Sequence, residues 1–173
     1  MIVHCTQKLA ARLPVVSATP LAETSPLGSW HAHLYSYGRR QCVMFCHDES
    51  RYVLLLPGLV KPHFADLGRL HRELFLASLV AQGVNEALLA RVALALGPVQ
   101  FDRNTDRSVL GSMRVADIDL SWLMQDVVNV MDSDPLVRSL RLNERPLTVR
   151  GRWIWAKEEM LSLIGRAFRG LHS

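Results

Sequence analysis

An α+β fold, an antiparallel sheet covered on one face by helices, is what three features of this sequence predict. Three β-rich runs, Trp30 to Tyr37, Gln41 to Cys46 and Arg51 to Leu56, are separated by Gly38-Arg39-Arg40 and His47-Asp48-Glu49-Ser50. Connections that short suit an antiparallel meander over residues 30–56. Apolar residues then recur at helical spacing in several later stretches. With 173 residues the chain is long enough for one well-buried core and too short for two comfortable domains.

In order, Ile2 to Cys5 reads as a strand added to the meander, and Gln7 to Leu13 as a helical turn or two halted by Pro14. Residues 15–28 hold Pro20, Pro26 and several Ser and Thr without periodicity, and read as a loop. The third run of the meander is apolar throughout and ends at Pro57-Gly58, as a strand buried on both faces does. Leu67, Leu70, Leu74, Ala77 and Ala81 mark a helix ended by Gly83, and Asn85 caps a second that runs through Leu96 to Gly97-Pro98. Val99 to Phe101 reads as a further strand. Val109, Met113, Ala116, Leu120, Leu123, Val127 and Met131 trace one stripe of a long helix that begins between Thr105 and Val109. Beyond Asp134-Pro135, Leu147, Val149, Trp153 and Trp155 alternate with polar residues, which predicts a half-buried strand with inward indoles. Lys157 to Gly170 closes the chain as an amphipathic helix bearing Met160, Ile164 and Ala167. The expected organisation is a core domain over 1–133 with a basic C-terminal extension, 134–173, packed on it.

Hydrophobic residues make up 49% and charged residues 21%, a globular composition rather than a disordered one. No apolar run approaches the roughly 20 residues of a membrane span, and Met1 to Cys5 lacks the features of a secretory signal, so a cytoplasmic protein is expected. Cys5, Cys42 and Cys46 read as reduced thiols in apolar strands. The net charge of +4 lies wholly in residues 134–173, where eight basic residues meet four acidic ones. An anionic partner would dock there.

The densest polar stretch is Asn104-Thr105-Asp106-Arg107-Ser108, just where the long helix begins. Free N–H groups at a helix start make an anion site, and Arg107 adds a bidentate donor. Helix capping alone explains the polar residues but leaves Arg107 and Gly111 unused. His31 and His33 share one strand face, yet a third metal ligand is lacking, so neither a metal nor another cofactor is expected. Cys5 suits a buried thiol better than a nucleophile. Ser108 and Ser112 lack a Gly-x-Ser-x-Gly elbow, and no Gly-rich phosphate loop is present. Arg150-Gly151-Arg152-Trp153-Ile154-Trp155 interleaves guanidinium groups with indoles, a pattern open to single-stranded nucleic acid as well as to a strand with one solvated face.

Cys5-Thr6-Gln7-Lys8-Leu9, Trp30-His31-Ala32-His33, the Arg39-to-Val43 hairpin and Arg107-Ser108-Val109-Leu110-Gly111-Ser112-Met113 together resemble a bacterial family known as a domain of unknown function, over about residues 1–125. Some members look like parts of plasmid-borne proteins. The chain departs from the family pattern at His33, where Asn is usual, and at Arg114-Val115, where Asn-Asp is usual. The resemblance implies that Lys8, His31, Asn104, Arg107 and Ser108 belong to one polar site. Taken together, these features lead us to expect a non-enzymatic protein that binds an anionic partner at the helix start, with Arg150 and Arg152 as nucleic-acid contacts. Two rivals stand beside that reading. One is a small metal-assisted hydrolase or nuclease using His31, His33 and an Asp; the other is a protein-complex partner in a toxin–antitoxin or phage-defence system.

Overall fold

The computed structural model describes residues 1–37, 39–123 and 134–169. The meander forms as expected: β2 (Trp30–Tyr37), β3 (Arg40–His47) and β4 (Val53–Leu59) pair antiparallel in sequence order. β1 (Ile2–Cys5) and β5 (Gln100–Asp102) complete a five-stranded sheet of order β4-β3-β2-β1-β5. β1 pairs parallel with both of its neighbours, so the sheet is mixed. Parallel neighbours need a long crossover, which α1 (Gln7–Ala10) and the loop after it supply between β1 and β2.

The sheet separates two apolar clusters. Val3, Cys5, Trp30, Ala32, Leu34, Val43, Phe45 and Leu54 pack against α3 (Leu67–Ala81), α4 (Glu86–Leu96) and α7 (Ala156–Phe168). Cys42, Met44, Cys46, Val53 and Leu55 face the other way, against Val109, Met113 and Leu120 of α5 (Arg107–Leu123) and Leu142 of α6 (Pro135–Asn143). Helices therefore lie on both faces rather than the expected one. The reason is already in β3 and β4, whose apolar residues do not alternate with polar ones and need cover on both sides.

β4 continues through Pro57 and Gly58 to Leu59, beyond its expected end. Its register with β3 shifts between Gln41 and Val43, and Gly58 takes φ 72°, so the strand bends there without stopping. Pro57 is tolerated because β4 is an edge strand. That edge is sealed by α6, which the sequence had not suggested. Asp134 caps it by accepting the Leu136 N–H at 2.8 Å. Ser139 Oγ then accepts the Leu55 N–H at 3.0 Å, while Asn143 accepts the Val53 N–H and donates to the Val53 carbonyl, both at 2.7 Å. Asn85 caps α4 as expected, accepting the Leu88 N–H at 2.9 Å. α5 begins at Arg107, within the expected window, whereas the last positions of its stripe, Val127 and Met131, fall outside the described residues. α2 (Lys61–Ala65) is a short addition before α3.

Most of the disagreement lies at residues 146–155. The single strand expected there is a hairpin, β6 (Pro146–Val149) and β7 (Arg152–Trp155), turning at Arg150 (φ 49°) and Gly151 (φ 77°). Two left-handed residues in succession make the two-residue turn that matches strand twist. The turn also reverses the parity of the alternation, because Leu147 pairs with Ile154 and Val149 with Arg152. The inward face thus continues from Leu147 to Ile154. Trp153 is 68% exposed and Trp155 43%, so the indoles are not the core anchors expected.

Candidate functional site

Parallel register sets three polar residues side by side. His4 of β1 stands opposite His31 of β2 on one side and Asp102 of β5 on the other. Each lies on the sheet face away from Val3, Cys5 and Trp30. Asp102 is wholly buried and accepts from His4 Nδ1 at 2.6 Å, from the Leu21 N–H at 2.9 Å and from the Asn104 N–H at 3.0 Å. Burial pushes its pKa up, but these hydrogen bonds outweigh it and hold the carboxyl below the usual carboxylate range. An ionised Asp102 places the proton of His4 on Nδ1. His4 Nε2 is left 3.9 Å from Asp48 Oδ2 and, among the described residues, without a hydrogen bond.

His31 is locked at both ends. Its Nδ1 donates to Asp48 Oδ1 at 2.6 Å, and its Nε2 accepts the Asp106 N–H at 2.6 Å. The ring therefore ties β2 to the start of α5. Asp106, rather than Asn104 or Ser108, caps that helix: Oδ1 accepts the N–H groups of Ser108 at 2.7 Å and Val109 at 3.2 Å. Those two N–H groups hold the Asp106 carboxyl below its ordinary range, with smaller help from His31 and Arg51. The donors expected to receive an external anion are thus already filled by a side chain of the same helix.

Of the other residues marked in the sequence, Ser108 and Asn104 join this cluster, Asn104 through its backbone N–H to Asp102. Lys8 is exposed and acts on His33, whose pKa is lowered first by burial and then by the Lys8 charge. His33 Nδ1 pairs with Thr6 Oγ1 at 2.8 Å, so His31 and His33 serve different partners. Arg107, Arg150 and Arg152 are exposed and, among the described residues, have no hydrogen-bond or ion-pair partner. No group of three His, Cys, Asp or Glu among the described residues is placed to hold a metal ion. Burial pushes the Cys5 and Cys46 thiols up to about 12, which leaves them protonated and unreactive.

Arg51 was read as the first residue of a strand and is the group that sequence reasoning missed. It sits in the turn between β3 and β4 in a left-handed conformation, φ 60°, and is only 5% exposed. Nη1 donates to the Asp48 carbonyl and Nη2 to Ser108 Oγ at 3.0 Å, while Nε is buried with no partner. Among the described residues no carboxylate forms an ion pair with it. A guanidinium normally buries itself against a carboxylate, because an unpaired buried charge is costly. No local pattern in the sequence marks a left-handed arginine.

Above Ser108 opens a cleft of about 410 Å³, walled on one side by Ser108, Gly111, Ser112 and Val115 of α5 and on the other by Pro146 to Arg150 and Trp153 of the hairpin. A cavity of about 30 Å³ shares Ser112, Val115, Pro146 and Leu147 with this cleft and is also lined by Arg51. Arg145 and Asp119, which form an ion pair, also line that cavity. A Cβ at Gly111 would meet nothing within 4 Å, and the residue borders the open cleft.

Among the described residues no helix is long and apolar enough to cross a membrane. No curated protein matches the chain. A family model described as a domain of unknown function, DUF6933, matches residues 2–159, from β1 into the first turn of α7. The match takes in both the histidine–aspartate cluster and the cleft, and the chain belongs to this family.

Proposed function

We propose that the protein is a non-enzymatic, cytoplasmic bacterial binding protein whose anionic ligand seats in the cleft between α5 and the β6–β7 hairpin. The observation that carries this reading is Arg51, a buried guanidinium whose Nε has no partner among the described residues and whose Nη2 donates to Ser108 Oγ, a residue that lines the cleft. A phosphate or carboxylate group in the cleft adds a negative charge to the one Asp106 already sets near Arg51, with the Ser108 hydroxyl beside it and Arg150 at the rim. Gly111 fits the same picture. It costs the helix about 1 kcal/mol relative to Ala, and no protein atom uses the space it leaves. The histidine–aspartate cluster is the scaffold, fixing α5 on the sheet through His31.

Calorimetric titration with pyrophosphate tests this. Arg51→Met keeps the unbranched stem of the side chain and removes its charged head. We expect it to leave stability within about 1 kcal/mol, since replacing a buried charge by an apolar group is often neutral or favourable. Pyrophosphate affinity should fall by tenfold or more, because hydrogen bonds to charged groups contribute about 1.5–3 kcal/mol each. Arg107→Ala, an exposed site, should change stability by less than about 0.5 kcal/mol and affinity far less than Arg51→Met. Equal pyrophosphate affinity for wild type and Arg51→Met would sink the proposal.

A second reading is favoured by one observation. In the Asp102–His4 pair Nδ1 is held by a buried carboxylate and Nε2 is without a hydrogen bond, the arrangement of a general base. This moves the hydrolase alternative from His31 and His33 to His4. Hydrolysis of bis(p-nitrophenyl) phosphate that rises as a histidine loses its proton, and that disappears in His4→Gln, would place the protein in that class.

A further inference from the structure

We infer that the ligand of the cleft is a single-stranded nucleic acid, with a base stacked on Trp153 and a phosphate held at Ser108 and Arg150; this rests on the anion-binding reading above. Trp153 is the large aromatic side chain lining the cleft, and it is 68% exposed on a hairpin whose tight turn holds it in place. An indole left that open has surrendered its apolar burial, and its flat face is a platform for an unpaired base. The volume of about 410 Å³ is near the small end of ligand pockets, a size for one nucleotide and not for a duplex. Gly111 widens the opposite wall by the space of a side chain, and the hydroxyls of Ser108 and Ser112 line that wall for polar base edges.

The chain of a bound strand has a path out of the cleft. Arg150 at the turn and Arg152 beyond it are exposed and, among the described residues, unpaired, whereas Arg145 and Arg166 of the same basic segment are engaged with Asp119 and Glu49. Two free cations of the C-terminal excess thus stand on the hairpin beside Trp153. A duplex is the weaker fit, because its bases are stacked on each other and offer Trp153 no open face.

The test compares three probes, pyrophosphate, thymidine monophosphate and a decathymidylate strand, by fluorescence titration at low salt. The strand should bind more tightly than the mononucleotide. Its log–log salt dependence should have a slope of about −0.7 per phosphate neutralised, and the Arg150→Gln/Arg152→Gln double variant should flatten that slope by about one to two units. Trp153→Ala should weaken the strand by about 10- to 100-fold, keep pyrophosphate affinity and leave the melting temperature unchanged, and Trp153→Phe should restore most of the loss. Binding of pyrophosphate or the mononucleotide without tighter binding of the strand would overturn this inference and spare the anion-binding reading. Strand binding indifferent to Trp153→Ala would overturn it too. Failure of all three probes would remove both.

Discussion

Stability should fall by several kcal/mol as the pH drops from about 6.5 toward 3, with His71 responsible for the largest share. This histidine is fully buried in α3 among Trp30, Phe45 and Phe75, with ring centroids 4.6 Å from those of Trp30 and Phe45. Among the described residues neither ring nitrogen has a hydrogen-bond partner. Burial, with a smaller contribution from His47, lowers its pKa from 6.5 to about 3. Above the unfolded value the ring is neutral in both states and pH has no effect through it. Below that value the unfolded chain takes up a proton that the buried ring refuses, so stability is lost until the pH reaches about 3. At about 1.36 kcal/mol per pKa unit the loss approaches about 4 kcal/mol. His47 and His33 are also lowered chiefly by burial and act in the same direction. Asp102 and Asp106, held below the ordinary carboxylate value of 3.8, add a further loss as the pH falls through that value. Denaturant unfolding near neutral pH and near pH 4 measures the effect. His71→Leu should gain about 1–3 kcal/mol at neutral pH by removing unpaired buried polar atoms, and it should flatten the acid limb. An acid limb as steep as that of wild type would show that His71 is not its main source.

Asn143→Leu should cost about 3–5 kcal/mol, although the two side chains have the same branched shape. Asn143 is 1% exposed and holds the edge of β4 through the Val53 N–H and carbonyl, and it donates as well to the Ser139 carbonyl. Leucine leaves the Val53 N–H and carbonyl of the sheet buried and unpaired, at about 1–3 kcal/mol each. It also uncovers an edge that can pair with another chain, so concentration-dependent association should accompany the lower melting temperature. A variant that unfolds at the wild-type denaturant midpoint and stays monomeric would show that α6 does not seal the sheet.

Much of the architecture was legible because it is written in local chemistry. The meander followed from β-rich runs joined by turn-length gaps, α4 from Asn85 and Gly97, and α5 from an apolar stripe that tertiary packing had no reason to override. The hairpin failed for a definable reason. Alternation was carried across Arg150-Gly151, and a two-residue turn there exchanges the faces, turning Trp153 outward and Ile154 inward. The Arg-Gly pair before a β-like run was the signal available. α6 had a local start signal in Asp134-Pro135 that was not used, whereas its role, satisfying β4 across about 90 residues of chain, is a pairing that local pattern does not encode.

The polar site was legible as a region and not as a geometry. His31, Asn104 and Ser108 do meet around the start of α5, but through Asp48, Asp102 and Arg51, which no motif marked as partners. Asp106 was counted among several possible caps, and only the fold shows that it fills the helix start and displaces the expected anion from there. The long-range registers that place His4 beside Asp102, and the left-handed turn that buries Arg51, arise from strand order and turn conformation rather than from spacing.

The most direct measurement is a nitrogen–proton correlation spectrum of the Arg51 Nε–H group during titration with pyrophosphate. In the free protein this proton is buried without an acceptor. Binding in the cleft predicts that its resonance moves saturably, together with the backbone amides of Gly111, Ser112 and Arg150, at concentrations matching the calorimetric affinity. An Arg51 resonance that stays fixed while pyrophosphate binds elsewhere, or a protein that takes up no pyrophosphate at low salt, would contradict an anion site built on this arginine.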